Sequence, residues 1–426
     1  ELVEAEESSR PLIVGERTNV IGSRLFKNLV AEEKWEEASE IARRQVRNGA
    51  HIVDVCLQST ERDELRDIPP FYEKLIRKIK APVMIDTTDP RAVELALTYC
   101  QGRSIINSIN LEDGEEKFER MCPIARAHGA AVIVGTIDED KQQAQAFTRE
   151  RKLAVAQRSV ELLTSKYGMA PEDIIVDPLV FPCATGDANY IGGAVETIEA
   201  VRLIKAHIPH VRTALGISNV SFGLPPAARE VVNSVFLYYC TKAGLDLAIV
   251  NAERLERFAG IPEEERRLAE SLLFNTPPVE GELAGAPEDW REQTPEQRAA
   301  INQWHIAAIT AHFREARKER ARAEDLPLDE RLARYIIEGT RDGLVEDLDR
   351  KLAEGAAPLD IINGPLMAGM AEVGRLFNNN ELIVAEVLQS AEAMKAAVNH
   401  LQQFMEKADT AARGKIMLAT VKGDVH

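Results

Sequence analysis

From Pro11 to about Thr276 the chain repeats one pattern, a short continuous apolar run followed by a segment of helical periodicity, roughly every 25 to 40 residues. The runs are Leu12 to Gly15, Ile52 to Val55, Val83 to Ile85, Ile105 to Ile106, Val132 to Gly135, Ile174 to Val176, Ala214 to Ile217 and Leu247 to Val250, eight in all. Strands buried on both faces need continuous Val, Ile and Leu rather than alternation with polar residues. Between them, Trp35 to Arg47 and Arg149 to Lys166 carry the helix period. The repeat predicts an α/β fold, a closed (β/α)8 TIM barrel. A doubly wound open sheet shares these local patterns and stays open at this point.

The residues that end the runs are, in order, Glu16, Asp54, Asp86, Asn107, Asp138, Asp177, Asn219 and Asn251. Any one Asp or Asn after a strand is ordinarily a turn or helix cap. Eight carboxylates and carboxamides at eight strand ends, which converge on one mouth in such a barrel, point to a binding site there. Carboxylates accept hydrogen bonds from amino and ring N–H groups and carboxamides do both, so the mouth suits a neutral heterocycle with several N–H donors. The first 276 residues hold no HExxH, no paired His at metal spacing, no GxSxG, no GxGxxG and no P-loop. Gly192, Gly193 and Gly216 read as isolated turn or close-packing glycines.

Composition narrows the partners. With 69 acidic against 52 basic residues the formal charge is -17, which argues against a sequence-independent grip on nucleic acid or an anionic membrane. No apolar run approaches the length of a membrane span, and the acidic start ELVEAEESSR lacks the features of a signal peptide, so a cytoplasmic location is expected. Cys56, Cys100, Cys122, Cys183 and Cys240 are scattered, without a CxxC pair, and predict reduced, mostly buried thiols.

After Thr276 the stretch TPPVEGELAGAPEDW reads as a linker with few apolar anchors. Thr294-Pro295-Glu296-Gln297 is a capping-box pattern opening a helix to about Glu324. From Leu326 to about Ala412 the pattern is helical, broken at Gly339, Gly343, Gly355, Pro358 and Asn378-Asn379-Asn380, and predicts a small all-α four-helix bundle. KIMLATV, Lys415 to Val421, then reads as a strand leading into a glycine turn, the expected start of a further βα domain. The predicted divisions are 1–276, 277–325 (linker with helix), 326–412 and 413–426.

GERTNVIGS at Gly15 to Ser23, MIDTT at Met84 to Thr88, INSIN at Ile106 to Asn110, IIVDPLVFP at Ile174 to Pro182 and GISNVSFGLP at Gly216 to Pro225 resemble the pterin-binding methyltransferase family. Within it they resemble the folate domain of the cobalamin-dependent methionine synthases. Gly364 to Val398 resembles the helical cap of the cobalamin module in those enzymes, and Asp424-Val425-His426 the start of their Asp-x-His-x-x-Gly motif. The resemblance implies a partial chain: a homocysteine barrel with its cysteine-ligated zinc would precede residue 1, and the rest of a Rossmann-like cobalamin domain and a reactivation domain would follow residue 426. It implies a barrel of the pterin-binding type, with 5-methyltetrahydrofolate as substrate and cobalamin, as cob(I)alamin and methylcobalamin, as cofactor.

By the same resemblance Asp86, Asn107 and Asp177 hold the pterin ring through its amino and ring nitrogens, Asn19 and Asp54 line the pocket, and Asn219 approaches N5 and is the catalytic residue. Arg229 stands where relatives carry a binding arginine, though the GLPPAAR spacing is longer here; its ordinary alternative is a helix-surface charge. Phe377, Ile383, Val384 and Val387 lie around the Asn-rich turn and into the last helix, where 383, 384 and 387 share one face, a stripe that is ordinarily plain core. In the resemblance Phe377, Val384 and Val387 cover the upper face of the corrin, Asp424 belongs to the cofactor motif, and His426 ligates cobalt from below in the full-length protein. The implied reaction moves the N5-methyl of 5-methyltetrahydrofolate to cob(I)alamin, the folate half of methionine synthesis from homocysteine. Alternatives are a folate-to-corrinoid-protein methyltransferase of the acetogen type and, outside enzymes, a cobalamin-binding regulatory module.

Overall fold

The structure is a computed structural model and describes residues 11–255, 258–320, 326–341, 343–378 and 384–405. Strands β1 (Leu12–Asn19), β2 (Ile52–Cys56), β3 (Val83–Asp86), β4 (Ile105–Ile109), β5 (Ala131–Gly135), β6 (Ile174–Asp177), β7 (Arg212–Gly216) and β8 (Leu247–Val250) pair in sequence order, all parallel. Pairing of Leu12 with Leu247 closes β8 onto β1, so the sheet is a barrel and the open-sheet alternative falls. Each expected run is a strand.

The connecting helices are α1 (Arg24–Ala31), α2 (Trp35–Arg47), α3 (Glu64–Lys78), α4 (Pro90–Tyr99), α5 (Glu116–His128), α6 (Arg149–Ser165), α7 (Gly193–His207) and α8 (Pro226–Lys242), with α9 (Glu263–Phe274) after β8. Their starts are chemically marked: the side chains of Ser23, Asp63, Asp89 and Thr148 each accept from a first-turn N–H of the helix that follows. Outward strand residues such as Val53, Val55, Ile85 and Ile106 pack under these helices. Inward residues Val14, Ile52, Met84, Ile105, Ile133, Ile175, Ala214 and Leu247 fill the barrel interior. The five cysteines are free thiols, all buried except the half-buried Cys100.

The stretch expected to be a linker with few apolar anchors carries one large anchor. The Trp290 indole is buried over Gly192 and meets the Phe147 ring edge-on, with centroids 6.3 Å apart. Arg291 pairs with Glu150 and the fully buried Glu196. The capping box then forms as read: Gln297 N–H donates to Thr294 Oγ1 (3.2 Å), and Thr294 N–H donates to Gln297 Oε1 (2.9 Å). It opens α10 (Pro295–Arg320), from which Asn302 Nδ2 donates to the buried Cys183 carbonyl at 2.9 Å.

The chain divides into two compact units, the second comprising Asp325–Asn380 and the chain from Glu386 onward. Its helices are α11 (Leu328–Glu338), α12 (Leu344–Ala353), α13 (Pro358–Ile361), α14 (Met367–Asn378) and α15 (Val384–Gln402). Residues Ile362–Leu366 join α13 to α14 through a π turn. Pro365 has no N–H for the ladder there, which accounts for the local widening. Counted through that turn, the described residues of the unit form four helices around a core of Leu332, Ile336, Leu344, Leu348, Ile361, Leu366, Ala393, Ala397 and Leu401. Gly369 lets α14 lie close on α11, since a Cβ there would stand 2.6 Å from the Ala333 carbonyl oxygen. Lys415 to Val421 lie outside the described residues.

Candidate active site

The two-residue period of a strand decides which side chains reach the mouth. Two positions beyond the interior residues Val14, Ile52, Met84, Ile105, Ile175, Ala214 and Leu247 stand Glu16, Asp54, Asp86, Asn107, Asp177, Gly216 and Ile249. All seven line one cavity of about 750 Å³ at the C-terminal end of the barrel, together with Asn19, Asn219 and Arg229. Register assists, because Asp86 lies directly beside Asn107. Pairing is interrupted between Gly15 and Thr18 and between Ile106 and Ile109, the stretches that hold Glu16 and Asn107.

Asn19 organises two of the carboxyl groups. Its Oδ1 accepts from the N–H groups of Ile21 (2.9 Å) and Gly22 (3.0 Å), which turns its NH2 inward. That NH2 donates to Asp54 Oδ2 (3.1 Å) and Asp86 Oδ2 (3.0 Å). Burial, and next the charge of Asp86, pushes Asp54 well above the usual carboxylate range. Burial likewise pushes Asp86 up to about 6, against the lowering hydrogen bond from Asn19. Among the described residues, the buried Asp54 Oδ1 has no hydrogen-bond partner.

On the opposite wall Asp177 Oδ1 accepts from Leu179 N–H at 2.8 Å, and burial pushes its carboxyl up to about 6. Asn219 is exposed on the 3-10 turn Ile217–Ser221, and Gly216 leaves room for it: a Cβ at 216 would stand 3.1 Å from Asn219 Nδ2. Two groups brace that turn. Ser218 Oγ donates to Glu16 Oε1 (2.9 Å), and Arg229 donates to the Ser218 carbonyl (3.0 Å) and to Ser221 Oγ (3.1 Å). Burial raises the Glu16 carboxyl, with Ser218, Arg17 and Arg229 acting in the lowering direction.

The fold therefore brings together Asn19, Asp54, Asp86, Asn107, Asp177, Asn219 and Arg229. Arg229 is half-buried and lines the cavity, so it is no helix-surface charge. Two of the eight strand-end residues serve locally instead, Asp138 in a turn and Asn251 as a cap. Asp138 lies three positions past the end of β5 and accepts from Arg151 (2.6 Å) and Asp140 N–H (3.1 Å). Asn251 accepts from Glu253 N–H (3.2 Å). Sequence reasoning did not place Phe181, Tyr190 or Lys152. The first two stack with centroids 5.3 Å apart and line the cavity, and Lys152 is buried beneath it. In the helical unit Phe377 is 40% exposed at the end of α14, and Val387 is half-buried on α15. Val384 opens α15, but its side chain, with Ile383, Asp424 and His426, lies outside the described residues.

A family model described as a pterin binding enzyme matches residues 15–251, the span that contains every residue of this mouth. The chain belongs to the pterin-binding enzyme family. A second model, described as a B12 binding domain, matches residues 328–402 of the helical unit. The pterin-binding chain is also similar to methionine synthase from Mycobacterium tuberculosis, 40% identical over 419 residues, 97% of this chain and 34% of that protein. It is 40% identical to methionine synthase from Mycobacterium leprae over 423 residues, 97% of this chain and 33% of the relative. The chain thus spans about a third of the length of the curated relatives it matches. A solved dihydropteroate synthase from Stenotrophomonas maltophilia covers 62% of this chain and 93% of its own, at 15% identity and a TM-score of 0.42.

Proposed function

We propose that this chain binds 5-methyltetrahydrofolate in the barrel mouth and passes its N5-methyl group to cobalamin, the folate half-reaction of methionine synthesis. The observation that carries the reading is the composition of the cavity wall. It sets the carboxyl groups of Glu16, Asp54, Asp86 and Asp177 and the carboxamides of Asn19, Asn107 and Asn219 against two guanidinium groups, Arg17 and Arg229. Such a wall suits a neutral ring rich in N–H donors far better than a polyphosphate. Similarity to methionine synthases and the B12 binding match in the same chain support the direction of transfer.

In this reading Asp86, Asn107 and Asp177 accept from the amino and ring N–H groups of the pterin and fix its plane. The N5–methyl bond resists cleavage because the amine departs as an anion unless N5 gains a proton. Asn219 cannot supply that proton. It orients N5 and makes a hydrogen bond that strengthens as the amine becomes cationic, while water delivers the proton. Cobalamin fits the exposed aromatic end of the helical unit, where the Phe377 ring is left outside a bundle that buries its neighbours Val373 and Leu376. Phe377, Val384 and Val387 would cover it, and Asp424 and His426 would help to hold it. When bound it supplies a cobalt(I) nucleophile for the methyl carbon. The three covering side chains would keep water away.

Calorimetric titration with 5-methyltetrahydrofolate, without any metal ion, tests the reading. Binding of one equivalent is expected; no binding would count against it.

A further inference from the structure

Lys152 lies on α6 with no exposed surface. A buried ammonium is tolerated only where its donors find acceptors. Nζ donates to the Pro178 carbonyl and to the Leu179 carbonyl (3.2 Å), and stands 4.8 Å from the centroid of the Phe181 ring. Thr197 Oγ1, from α7, donates to the same Leu179 carbonyl at 2.8 Å. Leu179 has a φ of +65°, a left-handed conformation that side-chain-bearing residues disfavour. Its N–H is the donor to Asp177 Oδ1. Burial pushes the Lys152 ammonium down to about 7, while the carboxylates of Asp177 and Glu196 favour its charged form.

We propose that Lys152 is a positioning residue for the ligand in the mouth: by holding the Pro178 and Leu179 carbonyls it fixes the left-handed turn whose N–H aims the Asp177 carboxylate into the cavity. The inference rests on the pterin reading of that cavity. Without the ammonium two carbonyls lose a buried donor, and Leu179 gains by relaxing to negative φ, which swings its N–H away from Asp177. Folding could survive this, but the aim of the carboxylate could not.

The test compares 5-methyltetrahydrofolate affinity by calorimetry, with melting temperature alongside, for the full chain and for Lys152→Met, Thr197→Val, Leu179→Gly and the double variant Lys152→Met/Leu179→Gly. Lys152→Met is expected to weaken binding about tenfold and Thr197→Val about threefold, the scale of one or two lost hydrogen bonds. In the Leu179→Gly background the loss from Lys152→Met should shrink to about threefold or less, because glycine holds positive φ unaided. A Lys152→Met protein that binds like the parent, or loses as much in the glycine background, would overturn the role. Should Lys152→Met not fold, Thr197→Val decides: weakened binding supports the turn, unchanged binding overturns it. If the parent itself binds no folate, the pterin reading fails first and takes this inference with it.

Discussion

Asp177 meets opposing demands from folding and from binding. Its carboxyl, normally near 3.8, is pushed up to about 6 by burial, so the folded protein holds the proton more tightly than the unfolded chain. The associated stability is fully present below about 3.8 and is lost as pH rises through about 6. At neutral pH the ionised carboxylate therefore works against the fold, and Asp177→Asn should raise the melting temperature by a few degrees, measurable by calorimetric scanning. A ligand rich in N–H donors needs the ionised form. Asp177→Ala should weaken folate binding by roughly 1.5–3 kcal/mol, and affinity in the parent should fall as pH drops through about 6, where Asp86 and Asp177 take up protons. Asn219→Ala should slow methyl transfer more than it weakens ground-state binding, because its contact tightens as N5 gains charge; equal losses in single-turnover rate and affinity would contradict this. The carboxyl groups were legible because each stands two positions after an interior apolar residue of its strand. Lys152 was not, because a lysine in a helical run gives no sign of facing a strand end instead of water.

Trp290 and Gly192 show the same limit among the elements. The eight apolar runs and the capping box at Thr294 are local signals, set by period and by adjacent side chains, and they form as the sequence implies. The docking of 277–294 is not local. A tryptophan in a stretch rich in Pro, Gly and Glu gives no sign of its partner, and Gly192 was readable only as a turn or close-packing glycine. In the fold a Cβ at 192 would stand 2.3 Å from the indole, and the glycine has φ +81°. Trp290→Ala should cost about 3–5 kcal/mol in equilibrium unfolding of the barrel unit. Gly192→Ala should also destabilise, and less so when Trp290 is already removed, since the two changes act on one contact. Additive losses would show that the contact is not what the glycine serves.

For the whole molecule, a barrel of the pterin-binding family and a helical unit that matches a B12 binding domain lie in one chain, which is similar over nearly its whole length to methionine synthases and spans about a third of theirs. That pairing was legible from motifs spread along the chain, whereas the roles of Val384, Asp424 and His426 rest on side chains outside the described residues. The proposed function requires the barrel mouth to activate the N5-methyl group for transfer to a corrinoid. Incubation of the chain with 5-methyltetrahydrofolate labelled in the methyl group and with added cob(I)alamin measures it directly. Label is expected on cobalamin at a rate set by the protein, slowed by Asn219→Ala and reduced by Asp177→Ala in step with folate affinity. Folate bound at one equivalent with no label on cobalamin would contradict it.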